Sequence, residues 1–137
     1  MRLTLRTILL KAIVLAAMAG CSGSITEDRW PEYRVVGRVT DPAGSSVAGA
    51  AVTVRSLWGP TCGSPMSVGG PFRMNSAGRY RGGFGSAVSE FDGCVEVTVE
   101  PPAGTRFLAA TRRLTGVLLN ADRGDSTVID VQLTALP

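Results

Sequence analysis

An all-β fold, a seven-stranded antiparallel β-sandwich, is the class this sequence predicts, on three observations. Beyond about residue 32, apolar and polar residues alternate with period two in several separate stretches, the spacing that sends successive side chains to opposite faces of a strand. Those stretches are short and punctuated by Gly, Pro, Asn and Asp, the residues that turns require. No segment after residue 20 carries the 3.6-residue periodicity of an amphipathic helix.

Residues 1–20 stand apart from this pattern. Arg2, Arg6 and Lys11 make a positive start, Ile8 to Ala19 is apolar except for Lys11, and Met18-Ala19-Gly20 leads into Cys21. The run is too short to span a bilayer, for which about 20 apolar residues are needed, and reads as a signal helix. The junction resembles a bacterial lipoprotein signal peptide, which implies cleavage before Cys21 and acylation of its thiol. Plain secretion and an uncleaved anchor are the alternatives. Two or three acyl chains, at about 0.8 kcal/mol per buried methylene, hold far more firmly than one. Ser22 after the cysteine implies, by the same resemblance, an outer-membrane destination if the envelope is Gram-negative. The expected address is therefore the cell envelope, outside the cytoplasm and lipid-anchored to a membrane. Residues 21–32 are polar, contain Pro31 and form a tether, leaving 33–137 as one domain.

Within that domain, Tyr33 to Thr40 reads as a strand, Asp41-Pro42-Ala43-Gly44 as a turn with Pro at its second position, and Ala50 to Arg55 as the returning strand. Val52 and Val54 share one face, Thr53 and Arg55 the other. Leu57 to Gly70, rich in Gly and Pro, reads as a long loop. Phe72 to Met74 and Arg79 to Gly85 flank a second hairpin turn at Asn75-Ser76-Ala77-Gly78. Cys94 to Glu100 alternates cleanly and ends at Pro101-Pro102; its face of Glu96, Thr98 and Glu100 belongs to solvent. One or two strands follow between Phe107 and Leu119, then a polar turn at Asn120 to Asp125, then a last strand from Thr127 to Leu133.

Composition narrows the function. The formal charge of +3 belongs to the whole chain, with fourteen basic and eleven acidic residues. Three of the basic ones lie in the leader, so residues 21–137 carry eleven of each, and no basic footprint points to nucleic acid. There is no His, and Lys11 is the sole lysine, which removes the commonest general base, the commonest metal ligand and Schiff-base chemistry from residues 21–137. No catalytic residue, metal or cofactor is expected. With Cys21 acylated, Cys62 and Cys94 remain as a disulfide pair for an oxidising compartment.

The run from Gly37 to Val54, through Asp41, Gly44, Gly49 and Ala50, followed by Asn75-Ser76-Ala77-Gly78-Arg79-Tyr80, resembles carboxypeptidase regulatory-like domains. The resemblance implies a transthyretin-like Greek-key sandwich and a module that performs no chemistry of its own. Turn chemistry makes a parallel claim: Gly78 can take the left-handed conformation that lets Tyr80 enter the core.

Few motifs are left for function. Arg79-Tyr80-Arg81-Gly82-Gly83-Phe84-Gly85 resembles an RGG segment, but a single copy in a neutral domain reads as a strand end. Asp122-Arg123-Gly124-Asp125 has oxygens for a hard cation, yet Asp and Gly serve a solvated turn as well. Glu90 with Asp92, or Glu96 with Glu100, would be the carboxylate pairs of a hydrolase. Trp58 and Tyr80 are the candidate binding residues. Trp58, beside Pro60 and the cysteine pair, either stacks on a sugar ring or anchors a protein partner, or else caps the end of the sandwich. Arg112-Arg113 either touches anionic headgroups or forms a solvated strand edge. The expected activity is that of a non-catalytic structural or binding module, with a carbohydrate-binding module next and a hydrolase last.

Overall fold

The computed structural model describes residues 32–137. Cys21, the signal segment and all but the last residue of the tether lie outside them. The described residues are all β. Their strands are β1 (Glu32–Thr40), β2 (Ala51–Trp58), β3 (Ser64–Arg73), β4 (Arg79–Gly85), β5 (Glu90–Glu100), β6 (Phe107–Leu108), β7 (Ala110–Asn120), β8 (Ser126–Val128), β9 (Val131–Gln132) and β10 (Thr134–Ala135). They form a sheet of order β4-β1-β8 with β9 also on β1, a sheet of order β3-β2-β5-β7, and a small β10-β6 pair.

The two larger sheets enclose a single core. From the first come Tyr33, Val35, Val39, Tyr80 and Phe84, and from the second Val52, Val54, Val95, Val97, Val99, Val117 and Leu119. These are the inward members of the period-two stretches, and β-branched residues dominate because they fit a pleated, half-buried surface. Val52 and Val54 are fully buried while Arg55 is exposed, as the alternation requires. Tyr33, Phe84 and Phe91 form an aromatic cluster with centroids 5.0 to 5.8 Å apart.

Ten segments replace the seven strands expected. One cause is the last stretch, which is broken at Ile129-Asp130 yet follows β1 as far as Leu133, Ile129 and Leu133 donating their N–H groups to Val36 and Thr40, before β10 leaves to pair with β6. The pairing with β1 is parallel, the departure from an otherwise antiparallel arrangement.

Both expected hairpins are arches between sheets. β1 pairs with β4, β8 and β9, whereas β2 pairs with β3 and β5, so Asp41 to Ala50 crosses the sandwich. Asn75 to Gly78 crosses back from β3 to β4. The local chemistry is as expected: Gly44 and Gly78 have φ of 85° and 68°, and the Asn75 carboxamide oxygen accepts from Ala77 and Arg79 N–H. Turn residues specify a reversal, and a reversal serves a hairpin or an arch equally.

The stretch Leu57–Gly70 is not a long loop. β2 runs to Trp58, a short turn covers Gly59 to Gly63, and β3 starts at Ser64. Pro65 and Pro71 are tolerated because β3 is an edge strand, where a missing N–H costs no ladder bond.

Tyr80 is 3% exposed, and its hydroxyl donates to the Ile129 carbonyl at 2.5 Å. Burial first, then Asp130, pushes its pKa above the ordinary 10.0, with Arg112 opposing; burial also raises Tyr33, helped by Asp122 and Glu90. Both groups fold as neutral phenols with raised pKa values. Their contribution to stability is therefore complete below pH 10 and is lost as pH climbs from 10 towards the folded-state values. Denaturant midpoints measured across pH 7 to 12 are expected to hold steady and then drop above about pH 10. Tyr80→Phe should cost about 1–2 kcal/mol at neutral pH, because the buried Ile129 carbonyl loses its partner, and should shallow the alkaline drop.

Candidate functional site

The end of the sandwich where β2 meets β5 carries the site. Inward positions on β2 are Val52, Val54 and Ser56, and strict alternation turns the next even residue, Trp58, to the same face. Alternation holds: β2 keeps unbroken register with β5 through Trp58, and the shift between Ser56 and Leu57 lies in the pairing with β3, where Met66 is the extra residue. Trp58 stands on the inward face at the open end of the sandwich, against Phe91. Ser56 and Leu57 are both buried and Trp58 emerges 46% exposed.

The neighbours hold Trp58 in place. Its indole meets the Phe91 ring edge-on at 6.2 Å, an inner wall that is itself part of the core. Directly after it, Gly59 N–H donates to the Asp92 carbonyl and Cys62 N–H to the Gly59 carbonyl. Cys62 and Cys94 are joined as the expected disulfide, Cα atoms 5.4 Å apart, tying the β2–β3 turn to β5. Cys62 sits at φ 56°, unusual for a residue with a Cβ, so the turn is held in one shape from several sides.

Trp58 stands between two hollows. One, of about 500 Å³, is rimmed by Glu90, Asp92, Asn120, Arg123 and Asp125. The other, of about 450 Å³, is less polar and is bounded by Met66, Ser86 and Val88. On the polar side the Asp125 carboxylate accepts from Asn120 N–H at 2.9 Å, and the Asn120 carboxamide oxygen accepts from Arg123 N–H at 3.1 Å, so the Asn120–Asp125 turn is braced by its own side chains. The Asn120 amide reaches Glu90 at 3.5 Å, while Glu90 and Asp92 are exposed to solvent. Among the described residues, no three Cys, Asp or Glu side chains converge to hold a metal ion.

The candidates are therefore separated. Trp58 is on the surface and the disulfide beneath it, whereas Tyr80 is in the core of the other sheet, its hydroxyl already engaged, and is not a surface binding residue. Arg112 donates to the Asp130 carbonyl at 2.7 Å and Arg113 pairs with Glu96 at 2.6 Å, which makes this pair a braced strand edge. Glu90 and Asp125, singled out in the sequence for other chemistry, and Asn120, marked there only as polar, join the site from the start of β5, the turn after β7 and the end of β7.

No protein-family model matches the sequence, and no curated protein is similar to it. Among solved structures it is similar to phospholipase PlaB from Legionella pneumophila, with a TM-score of 0.48 and 11% identity over 77% of this chain and 25% of that one. It is similar to (S)-allantoin synthase, with 0.47 and 18% over 80% and 42%. It is also similar to GBS52, the minor pilin in the gram-positive pathogen Streptococcus agalactiae, with 0.45 and 13% over 79% and 46%. The chain spans less than half the length of each.

The disulfide closes a loop with a sequence separation of 32. Cys62→Ser with Cys94→Ser, or reduction, should lower unfolding free energy by about 3–4 kcal/mol in equilibrium denaturation, from loop-closure entropy. Trp58 fluorescence should move to longer wavelength as the turn loosens.

Proposed function

We propose that this chain is a membrane-anchored extracytoplasmic lipoprotein whose single β-sandwich is a non-catalytic binding module of the carboxypeptidase regulatory-like, Greek-key type. The observation that carries it is Trp58, half-exposed at the end of the sandwich and held against Phe91 beside a disulfide-braced turn. A large aromatic face kept rigid in solvent costs apolar exposure and gains contact area for a ligand at little entropic expense.

Topology supports the fold assignment. With β8 and β9 taken as one broken strand and the two-residue β6 and β10 set aside, seven strands remain. β4 returns beside β1 while β2 and β3 pair in the facing sheet, an order that supports a Greek-key reading. The disulfide supports an oxidising compartment, and the leader and Cys21 support the membrane tether. Against catalysis stand the absence of His from the whole sequence and the solvent exposure of Glu90 and Asp92, since a general acid needs a desolvated carboxyl.

Carbohydrate is the second reading, favoured by the Glu90, Asp92, Asn120 and Asp125 side chains around one exposed indole. Such a ring stacks on the apolar face of a sugar while carboxylates and amides take its hydroxyls. Retention of the protein by cell-wall glycan columns is expected to fall at least tenfold in Trp58→Ala, with circular dichroism and the disulfide unchanged. Undiminished retention would exclude the Trp58 site; retention of neither form would point to a protein partner, to be sought by crosslinking at Trp58. For the anchor, mass spectrometry of the processed N-terminus should find an acylated Cys21.

A further inference from the structure

The outer face of the β4-β1-β8 sheet is arginine-rich. Along β1 the inward Tyr33, Val35 and Val39 leave Arg34, Val36 and Arg38 pointing out, and along β4 the inward Tyr80, Gly82 and Phe84 leave Arg79 and Arg81 pointing out. The register places Arg38 directly across from Arg79 and Val36 across from Arg81. Among the described residues none of these four arginines has a carboxylate partner; the ion pair there is Arg113 with Glu96. Two acidic side chains share the face: Glu32 at its start, and Asp130, whose carboxylate accepts from the Arg38 N–H at 2.7 Å. Val128, 64% exposed, lies against Val36 in the adjacent strand, and a shallow hollow of about 790 Å³ runs between the valines and Arg38, Arg79 and Arg81.

Like charges directly opposite each other weaken a sheet. A fold that keeps Arg38 facing Arg79 in a domain of balanced charge accepts that cost where an anion can offset it. The position of the face selects the anion. Ten residues separate Cys21 from Glu32, the first residue of β1. That length reaches at most about 33–36 Å and typically under about 20 Å. The arginines therefore stay within contact range of the headgroups that would hold the lipid.

We propose that this face docks the domain sideways onto an anionic lipid surface, the arginines meeting phosphate and the Val36–Val128 pair settling among the headgroups. The proposal rests on the anchored reading for its choice of a membrane over a soluble polyanion. Each arginine near such a surface strengthens association about fivefold, and salt removes the gain.

The test is arginine-specific labelling with phenylglyoxal, read peptide by peptide by mass spectrometry, on processed full-length protein. The protein is mixed with vesicles of phosphatidylcholine alone or with about 30% phosphatidylglycerol, an anionic fraction that creates the surface potential. Arg34, Arg38, Arg79 and Arg81 should lose reactivity severalfold on anionic vesicles only, and regain it near 1 M salt, while Arg55 and Arg123 stay constant. Equal reactivity on both vesicles overturns the proposal, as does protection by a soluble sulfated polysaccharide without protection by anionic lipid. The double variant Arg38→Gln, Arg79→Gln should raise the thermal midpoint by about 1–4 °C and weaken protection at Arg34 and Arg81. A lowered midpoint would mean that the two arginines serve the fold. The N-terminal peptide in the same digest reports acylation separately: arginine protection without lipid on Cys21 defeats the anchor and leaves the docking face standing, and lipid with equal reactivity does the reverse.

Discussion

One buried carbonyl, that of Ile129, organises the sheet on which the arginines lie. Its residue donates an N–H to Val36, yet its oxygen turns inward and takes the Tyr80 hydroxyl. Gly37 must be glycine for this to happen, because a Cβ there would stand 2.0 Å from that oxygen. The inward turn breaks the C-terminal strand, and Asp130, one residue later, turns out to cap the Arg38 N–H with its carboxylate. A side chain thus satisfies each backbone group that the break frees, and among the described residues no buried side-chain nitrogen or oxygen is left without a partner. The junction ties β4, through Tyr80, to the strand on the other side of β1.

The inward residues were legible from alternation alone. Tyr33 and Val35, Val52 and Val54, and Val95, Val97 and Val99 are where period two places them, because one-sided burial leaves no other register. Which strands pair was not legible. Period two specifies a face and says nothing about the neighbour, so Asp41-Pro42-Ala43-Gly44 and Asn75 to Gly78 read as hairpins when they are arches. β3 was hidden for a related reason: Pro65 and Pro71 break a central strand but not an edge.

At the site, the cysteine pair followed from counting, but the exposure of Trp58 did not. Trp58 keeps the alternation of Val52, Val54 and Ser56 and is exposed because the sandwich ends there, and Ser56 gives no apolar signal that it lies inside. Its hydroxyl bonds to the Ser67 carbonyl, which makes its burial tolerable and is visible only once β2 and β3 are known to pair. Tyr80 illustrates the opposite case. An aromatic placed just beyond the left-handed Gly78 of a tight turn could be read as core or as surface, and the Ile129 carbonyl decides it for the core.

Charge balance in this domain conceals a separation. Acidic side chains gather around Trp58, at Glu90, Asp92 and Asp125 with Arg123 among them, while Arg34, Arg38, Arg79 and Arg81 occupy the outer face of the other sheet. The chain enters at the Trp58 end: Glu32 pairs with Gly85, which borders the less polar hollow beside Trp58. A domain standing on its tether would press that acidic end towards anionic headgroups, an electrostatically unfavourable pose that also blocks the indole. Lying on the arginine face relieves the repulsion and leaves Trp58 open at the side. The two proposed surfaces therefore constrain each other, since the pose that satisfies the arginines is the one that keeps the aromatic site accessible.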